Sequence, residues 1–336
     1  MNREDMRMNL KTLALTMGIG VAAMTAVAQA KELKLADFQP STPPYNTEVY
    51  KPFIEEVAKA TGGEVTVRVY GGGELGAGPA DQYNRAVDGV ADIVFGLPGY
   101  TAANFPLTLV TELPGLIDAE TGTERVLANL DKLSGEYRRV VLIGLWTNSP
   151  NALFMAKKPV RSLADLKGLK IRVPSRNAGL VIEAWGASPV SMPAPEIYNG
   201  LQTGVIDGAF IDGTTTYSFR LSEVAKYITV GMDSSISSFF MIMNRDSFAD
   251  LGEAGQAALM EAGRNASLRA NRVQIEGAER GFAEFAAMPG KELIELSPEA
   301  AAEFNAASAQ VVEKVIAELD GTGVDAAGFV AALQGE

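Results

Sequence analysis

From residue 32 onward the chain alternates short apolar runs of strand type with amphipathic stretches of helix type, punctuated by Gly and Pro. This alternation constrains the fold more than any other feature. Residues 32–38 read as a strand, stopped by the Pro-rich loop 39–44. A helix follows with Val49, Phe53, Ile54 and Val57 on one face, capped by Asn46 or Thr47 and ended by Gly62-Gly63. Residues 65–70 alternate as a strand, Pro79 opens a helix carrying Tyr83, Ala86 and Val87, and 91–97 is a short apolar run of the buried-strand type. A β-α-β-α-β order implies a parallel sheet covered by helices.

The pattern continues with strands expected at 140–147, 152–157, 169–173, 189–192, 205–210, 225–230 and 238–244. Helices are expected at 176–186 and at 194–203, the latter ended by Gly204. Residues 252–287 then form one Ala-rich helical stretch without a Pro, long enough to brace more than one domain. A strand at 292–296 and a helix opened by Ser297-Pro298 and running to about 319 complete the chain. The fold class is therefore α/β, and about 300 residues favour two domains over one core. We expect one domain from 31–154 with 237–270 and the other from 155–236 with 271–336. The chain should cross between them near 153–156 and 234–238, where strands change neighbourhood without hairpin turns.

Residues 1–30 read as a secretory leader. Arg3, Arg7 and Lys11 make a basic start, residues 12–27 carry no charge, and Ala28-Gln29-Ala30 is a small-x-small cleavage site. Cleavage after Ala30 places the mature protein in the periplasm. The full chain carries a net charge of −12, and three basic and two acidic residues leave with the leader, so the mature chain carries −13. Such acidity argues against nucleic acid or an anionic membrane surface as partner. It also requires any anionic ligand to find a locally basic pocket. The absence of Cys and His excludes the usual zinc sites, Cys nucleophiles, haem attachment and His-based triads, so neither cofactor nor metal is expected.

The stretch 163–174, LADLKGLKIRVP, runs from a polar turn into a strand that Pro174 ends. Period-2 alternation sends Leu169, Ile171 and Val173 to one face and Lys170 and Arg172 to the other. Arg172 thus sits at a strand end. There a guanidinium either offers a fork matched to a carboxylate or belongs to a solvated edge-strand face. The loop Gly71-Gly72-Gly73-Glu74-Leu75-Gly76 lacks the Lys-Ser/Thr of a phosphate loop and the spacing of a dinucleotide fingerprint. Its glycines fit a tight turn or close approach to a ligand. Thr214-Thr215-Thr216 either caps a helix or lines a polar pocket. Aromatic residues fall near strand ends, among them Phe38, Tyr100, Trp146 and Phe210, where core packing competes with a place at a cleft mouth.

Three stretches together resemble the extracytoplasmic solute-binding proteins of TRAP (tripartite ATP-independent periplasmic) transporters, of the DctP type. They are Tyr70-Gly71-Gly72-Gly73-Glu74-Leu75-Gly76, the 163–174 stretch, and residues 186–208, GASPVSMPAPEIYNGLQTGVIDG. The resemblance covers essentially the whole mature chain. It implies two α/β domains around a cleft, ligand-driven closure, delivery to a membrane permease energised by an ion gradient, and a carboxylate-binding arginine that falls on Arg172.

Departures from the family pattern narrow the ligand. After Asp207-Gly208 stands Ala209-Phe210-Ile211-Asp212-Gly213, without the Asn or Trp common there. Asn104 occupies a position that is Arg in a similar subgroup, and Asn151-Ala152-Leu153 supplies no second Arg. One guanidinium, with Arg176 as a candidate second, points to a monocarboxylate. The candidate ligand residues are Arg172, Arg176, Tyr100, Trp146, Asn148, Phe210, Asp212, Phe38 and Glu74, with Asp212 placed to accept from a ligand hydroxyl or ammonium. The reading is a periplasmic receptor that carries a small organic acid to a TRAP permease and is not an enzyme. The alternatives are an exported hydrolase built on a carboxylate pair and a ligand-sensing domain reporting to a sensor kinase.

Overall fold

The computed structural model describes residues 30–76 and 78–335. The leader expected over 1–30 therefore lies, except for Ala30, outside the described residues. In chain order the strands are β1 (Lys31–Ala36), β2 (Val65–Tyr70), β3 (Ile93–Gly96), β4 (Val141–Pro150), β5 (Ala152–Met155), β6 (Lys170–Val173), β7 (Ser188–Ser191), β8 (Gly208–Ile211), β9 (Tyr227–Val230), β10 (Ile236–Met243) and β11 (Glu292–Glu295). They form two sheets, ordered β2-β1-β3-β10-β4 and β11-β9-β5-β8-β6-β7. The parallel pattern read from the sequence holds for β1, β2 and β3 and for β6, β7 and β8. The strands next to the crossings break it: β10 runs antiparallel to β3 and β4, and β5 antiparallel to β8 and β9, because each enters from the other sheet.

The first change of sheet comes at Asn151, ahead of the 153–156 expected, so β5 lies wholly in the second sheet. Return runs through residues 231–235. The two crossings are tied to each other, with Asn151 N donating to Ser235 O at 3.0 Å and Ser234 Oγ to Asn151 O at 2.6 Å.

Local chemistry explains the element ends. The helix Lys51–Ala60 buries Phe53 and Val57 beneath the first sheet. It starts through a π-type turn over Asn46–Tyr50, and neither Asn46 nor Thr47 caps it. Gly204 takes a φ of 77° after the helix Ile197–Thr203, a left-handed conformation that costs glycine little. Ser297 Oγ accepts from Ala300 N at 3.3 Å and opens the helix Pro298–Asp320.

The helix Gly252–Ala287 spans both sheets. Near its middle Gly263 lies so close to β4 that a Cβ there would collide with the Ile143 carbonyl oxygen, and Asn271 Nδ2 donates to Thr147 O at 2.8 Å. Toward its end Gly281 meets the Gly213 carbonyl, just after β8. One apolar cluster runs from Leu145 and Phe240 of the first sheet to Leu153, Ile171 and Phe210 of the second. No helix among the described residues is long and apolar enough to cross a membrane.

Candidate functional site

Arg172 is 1 % exposed, whereas Lys170 on the same strand is exposed. The solvated edge-strand alternative is thereby corrected: β6 lies between β8 and β7, with Arg172 in register with Ala209 and Val190. The guanidinium donates from Nε to Met192 O at 2.8 Å, from Nη1 to Phe210 O at 3.3 Å and from Nη2 to the Tyr100 hydroxyl at 3.3 Å. Five N–H groups are available on the fork, so one on each Nη is left over. Among the described residues no carboxylate pairs with it at ion-pair distance. Burial pushes its pKa below the ordinary arginine value, and Tyr100, Asp212 and Glu112 pull the other way. A buried cation without a paired anion costs several kcal/mol unless an anion arrives.

Tyr100 joins the two halves of the site. It belongs to the short 3₁₀ segment Pro98–Asn104 after β3, and its hydroxyl also accepts from Ala194 N at 3.0 Å. Beside it Gly99 comes so near Pro174 and Ser175 that a side chain would not fit without movement.

Arg172, Tyr100, Asn148, Asp212 and Phe38 line one cavity, whose apolar wall includes Leu97, Phe219 and Phe239. The cavity is small, about 30 Å³. A water needs roughly 10–15 Å³ of such space, so a ligand of more than a few heavy atoms requires the walls to part. The polar end is well organised. Asp212 Oδ2 accepts from Asn148 Nδ2 at 3.1 Å, and its Oδ1 accepts from Thr214 N at 2.9 Å and from the Thr214 hydroxyl. Asn148 Oδ1 in turn accepts from Ser237 N at 2.7 Å. Burial raises the Asp212 pKa despite these donors.

Four candidate residues fall elsewhere. Trp146 is fully buried behind Phe239, stacked at 6.1 Å, because its β4 position faces the helix-covered side of the sheet. The Phe210 ring packs on Trp185 at 5.3 Å, and only its carbonyl turns toward Arg172. Arg176 is exposed, paired with Glu318 at 3.0 Å along a separate groove. Glu74 is exposed on its glycine loop.

Residues not singled out from the sequence complete the site. Gln274 reaches the cavity from the long helix, and Ser237 from β10, neither with a local signal. Thr214 and Thr215 also line it, in keeping with the pocket alternative for that run. Glu112, 1 % exposed, sits close enough to Arg172 to bear on its charge, and burial pushes its carboxyl up to about 7. No local signal marked it, since Thr108 and Thr111 already interrupt the apolar residues around it.

A model of the family described as bacterial extracellular solute-binding protein, family 7 (DctP) matches residues 35–319. A solute-binding protein from Albidiferax ferrireducens is 28% identical over 309 residues, covering 86% of this chain and 89% of its own. Among solved structures, a marine metagenome TRAP solute binding protein specific for aromatic acid ligands, in complex with metahydroxyphenylacetate, superposes with a TM-score of 0.84 at 26% identity. That match covers 90% of this chain and 97% of its own. A TRAP periplasmic solute binding protein from Bordetella bronchiseptica with bound (R)- and (S)-mandelate gives 0.81 at 28% identity, over 91% and 98%.

Proposed function

We propose that this chain, which belongs to the bacterial extracellular solute-binding proteins of family 7, captures a small organic monocarboxylate on Arg172 and hands it to a TRAP membrane permease. The observation that carries this reading is the Arg172 guanidinium. It is buried, is held in place by three protein acceptors, has no carboxylate partner among the described residues, and keeps one N–H on each Nη for a two-pronged contact.

The ligand body meets Phe38, Tyr100, Phe219 and Phe239, which suits an aromatic or other apolar body. Relatives of similar sequence bind metahydroxyphenylacetate and mandelate, both aromatic monocarboxylates with a hydroxyl. Asp212, held by Asn148 and Thr214, is the acceptor we assign to such a hydroxyl. The function in this reading is binding, with Asp212 held by Asn148 and Thr214 as a fixed acceptor. We place the protein in the periplasm, its leader cleaved after Ala30.

The two sheets act in this reading as cores of two lobes that part at the Asn151 and 231–235 crossings to admit ligand and close over it. A thermal-shift screen of residues 31–336 against aromatic and aliphatic monocarboxylates, keto acids, sugar acids and amino acids tests the proposal. A ligand at a hundred times its dissociation constant stabilises by about 2.7 kcal/mol. Stabilisation by monocarboxylates is the expected result. Stabilisation confined to uncharged or cationic compounds would overturn it.

A further inference from the structure

Arg172 and the Asp212 carboxyl line this site, the Glu112 carboxyl is buried beside it, and a ligand would add a third carboxylate. Asp212 is satisfied by Asn148 and Thr214. Glu112 is not: it is 1 % exposed, and neither of its carboxyl oxygens has a hydrogen-bond partner among the described residues, although Ser175 and the Ser238 backbone lie beside it. Its place is the seam between the sheets. The 3₁₀ turn Thr108–Glu112 is tied to β10 of the first sheet by Thr111 Oγ1 and Ser238 Oγ at 2.6 Å. It is tied to the helix Arg176–Ala184 of the second by Asn177 Nδ2 donating to Leu109 O at 3.0 Å.

Among the described residues, the charged groups around Glu112 leave Arg172 as the cation that bears on it. Arg176 turns outward to Glu318. Glu136 and Tyr137 hold the opposite end of the turn through Thr108. On the far side of Arg172, Tyr100 and Asp212 engage their own partners. An ionised Glu112 would compete with an incoming carboxylate for the Arg172 charge, and in a dry site neither anion tolerates the other.

Resting on the carboxylate reading above, we propose that Glu112 is a positioning residue for this site, holding a proton whenever Arg172 takes a ligand anion, so that capture draws a proton from solvent. The proton comes from water and stays on the Glu112 carboxyl until the lobes reopen. Burial already pushes this group up to about 7, and a ligand anion adds to the push.

Calorimetry with sodium benzoate and sodium 3-hydroxybenzoate from pH 6 to 8 tests this on the mature protein and on Glu112→Gln, which keeps shape without charge. Wild-type affinity should fall about tenfold across that range, and Glu112→Gln should lose most of the dependence. Parallel profiles for the two proteins would overturn the inference. If neither acid binds wild type at any pH, the ligand reading fails separately, and ligand-free melting curves decide the role of Glu112. A folded-state pKa above the usual glutamate value means stability present at low pH and lost as pH rises through about 7. Glu112→Gln should therefore gain on wild type from pH 5 to about 7 and level off above it. A pH-independent gap would overturn the inference.

Discussion

Tyr100→Phe removes one oxygen atom and tests whether the two lobes are latched across the site. That hydroxyl accepts from Arg172 Nη2 at 3.3 Å and from Ala194 N at 3.0 Å, while Tyr100 itself hangs from the first sheet and both donors belong to the second. With Phe in its place, closure would leave two donors without an acceptor. A buried polar group left unsatisfied costs about 1–3 kcal/mol, and the long Arg172 contact belongs at the low end. In the open form water reaches both donors, so the cost falls on the closed form alone. Affinity for a carboxylate should drop by roughly 5–150-fold, the span that 1–3 kcal/mol allows. The loss should appear as faster dissociation, because the latch forms after encounter. Stopped-flow binding of the acid found by thermal shift, with melting of the free protein as control, separates the effects. Affinity within twofold of wild type, or a loss carried by the association rate, would refute the latch.

Three further outcomes follow from the same geometry. Gly263→Ala sets a methyl against the Ile143 carbonyl of β4 and should lower stability by about 1–3 kcal/mol in urea unfolding, even though Ala is the better helix former. Asp37 is buried at the end of β1, accepts from the Tyr50 hydroxyl at 2.6 Å, and has a carboxyl pushed up to about 7 by burial. Its stabilising contribution is present at low pH and lost as pH rises through 7. Melting of wild type should therefore decline relative to Asp37→Asn between pH 5 and 8. Arg176→Ala should leave ligand affinity unchanged and cost at most about 1 kcal/mol in stability, the worth of an exposed ion pair. A large affinity loss would place Arg176 in the site after all.

Much of the fold was legible because local chemistry and tertiary demand agree here. Gly204 ends one helix, Ser297 opens another, and the Pro-free run 252–287 is one continuous helix. For Arg172 the strand pattern alone left a solvated face and a carboxylate fork both open, and the resemblance to TRAP solute-binding proteins turned the reading to the fork. The failures share a cause, which is that sequence shows proximity along the chain and not which face meets the cleft. Trp146 and Phe210 lie on strands that border the site, yet each ring turns into a core. Arg176 stands four residues beyond Arg172, but the first turn of its helix carries it outward to Glu318. Asn148 and Asp212, 64 positions apart, become partners only because β4 and β8 belong to sheets that face each other across the site. Glu112 was invisible as a member of the site, since nothing along the chain puts a 3₁₀ turn of the first half beside β6.

The claim that a ligand carboxylate sits on the Arg172 fork is tested most directly by Arg172→Met, a neutral side chain of similar reach. Replacing a buried charge by an apolar group of like volume is often neutral for folding, so the variant should remain folded. Calorimetry with the carboxylate found by thermal shift should then show a loss of about 2–5 kcal/mol, roughly 30-fold to several thousand-fold in affinity. An Arg172→Met protein that melts normally and binds the same acid within threefold of wild type would contradict the account.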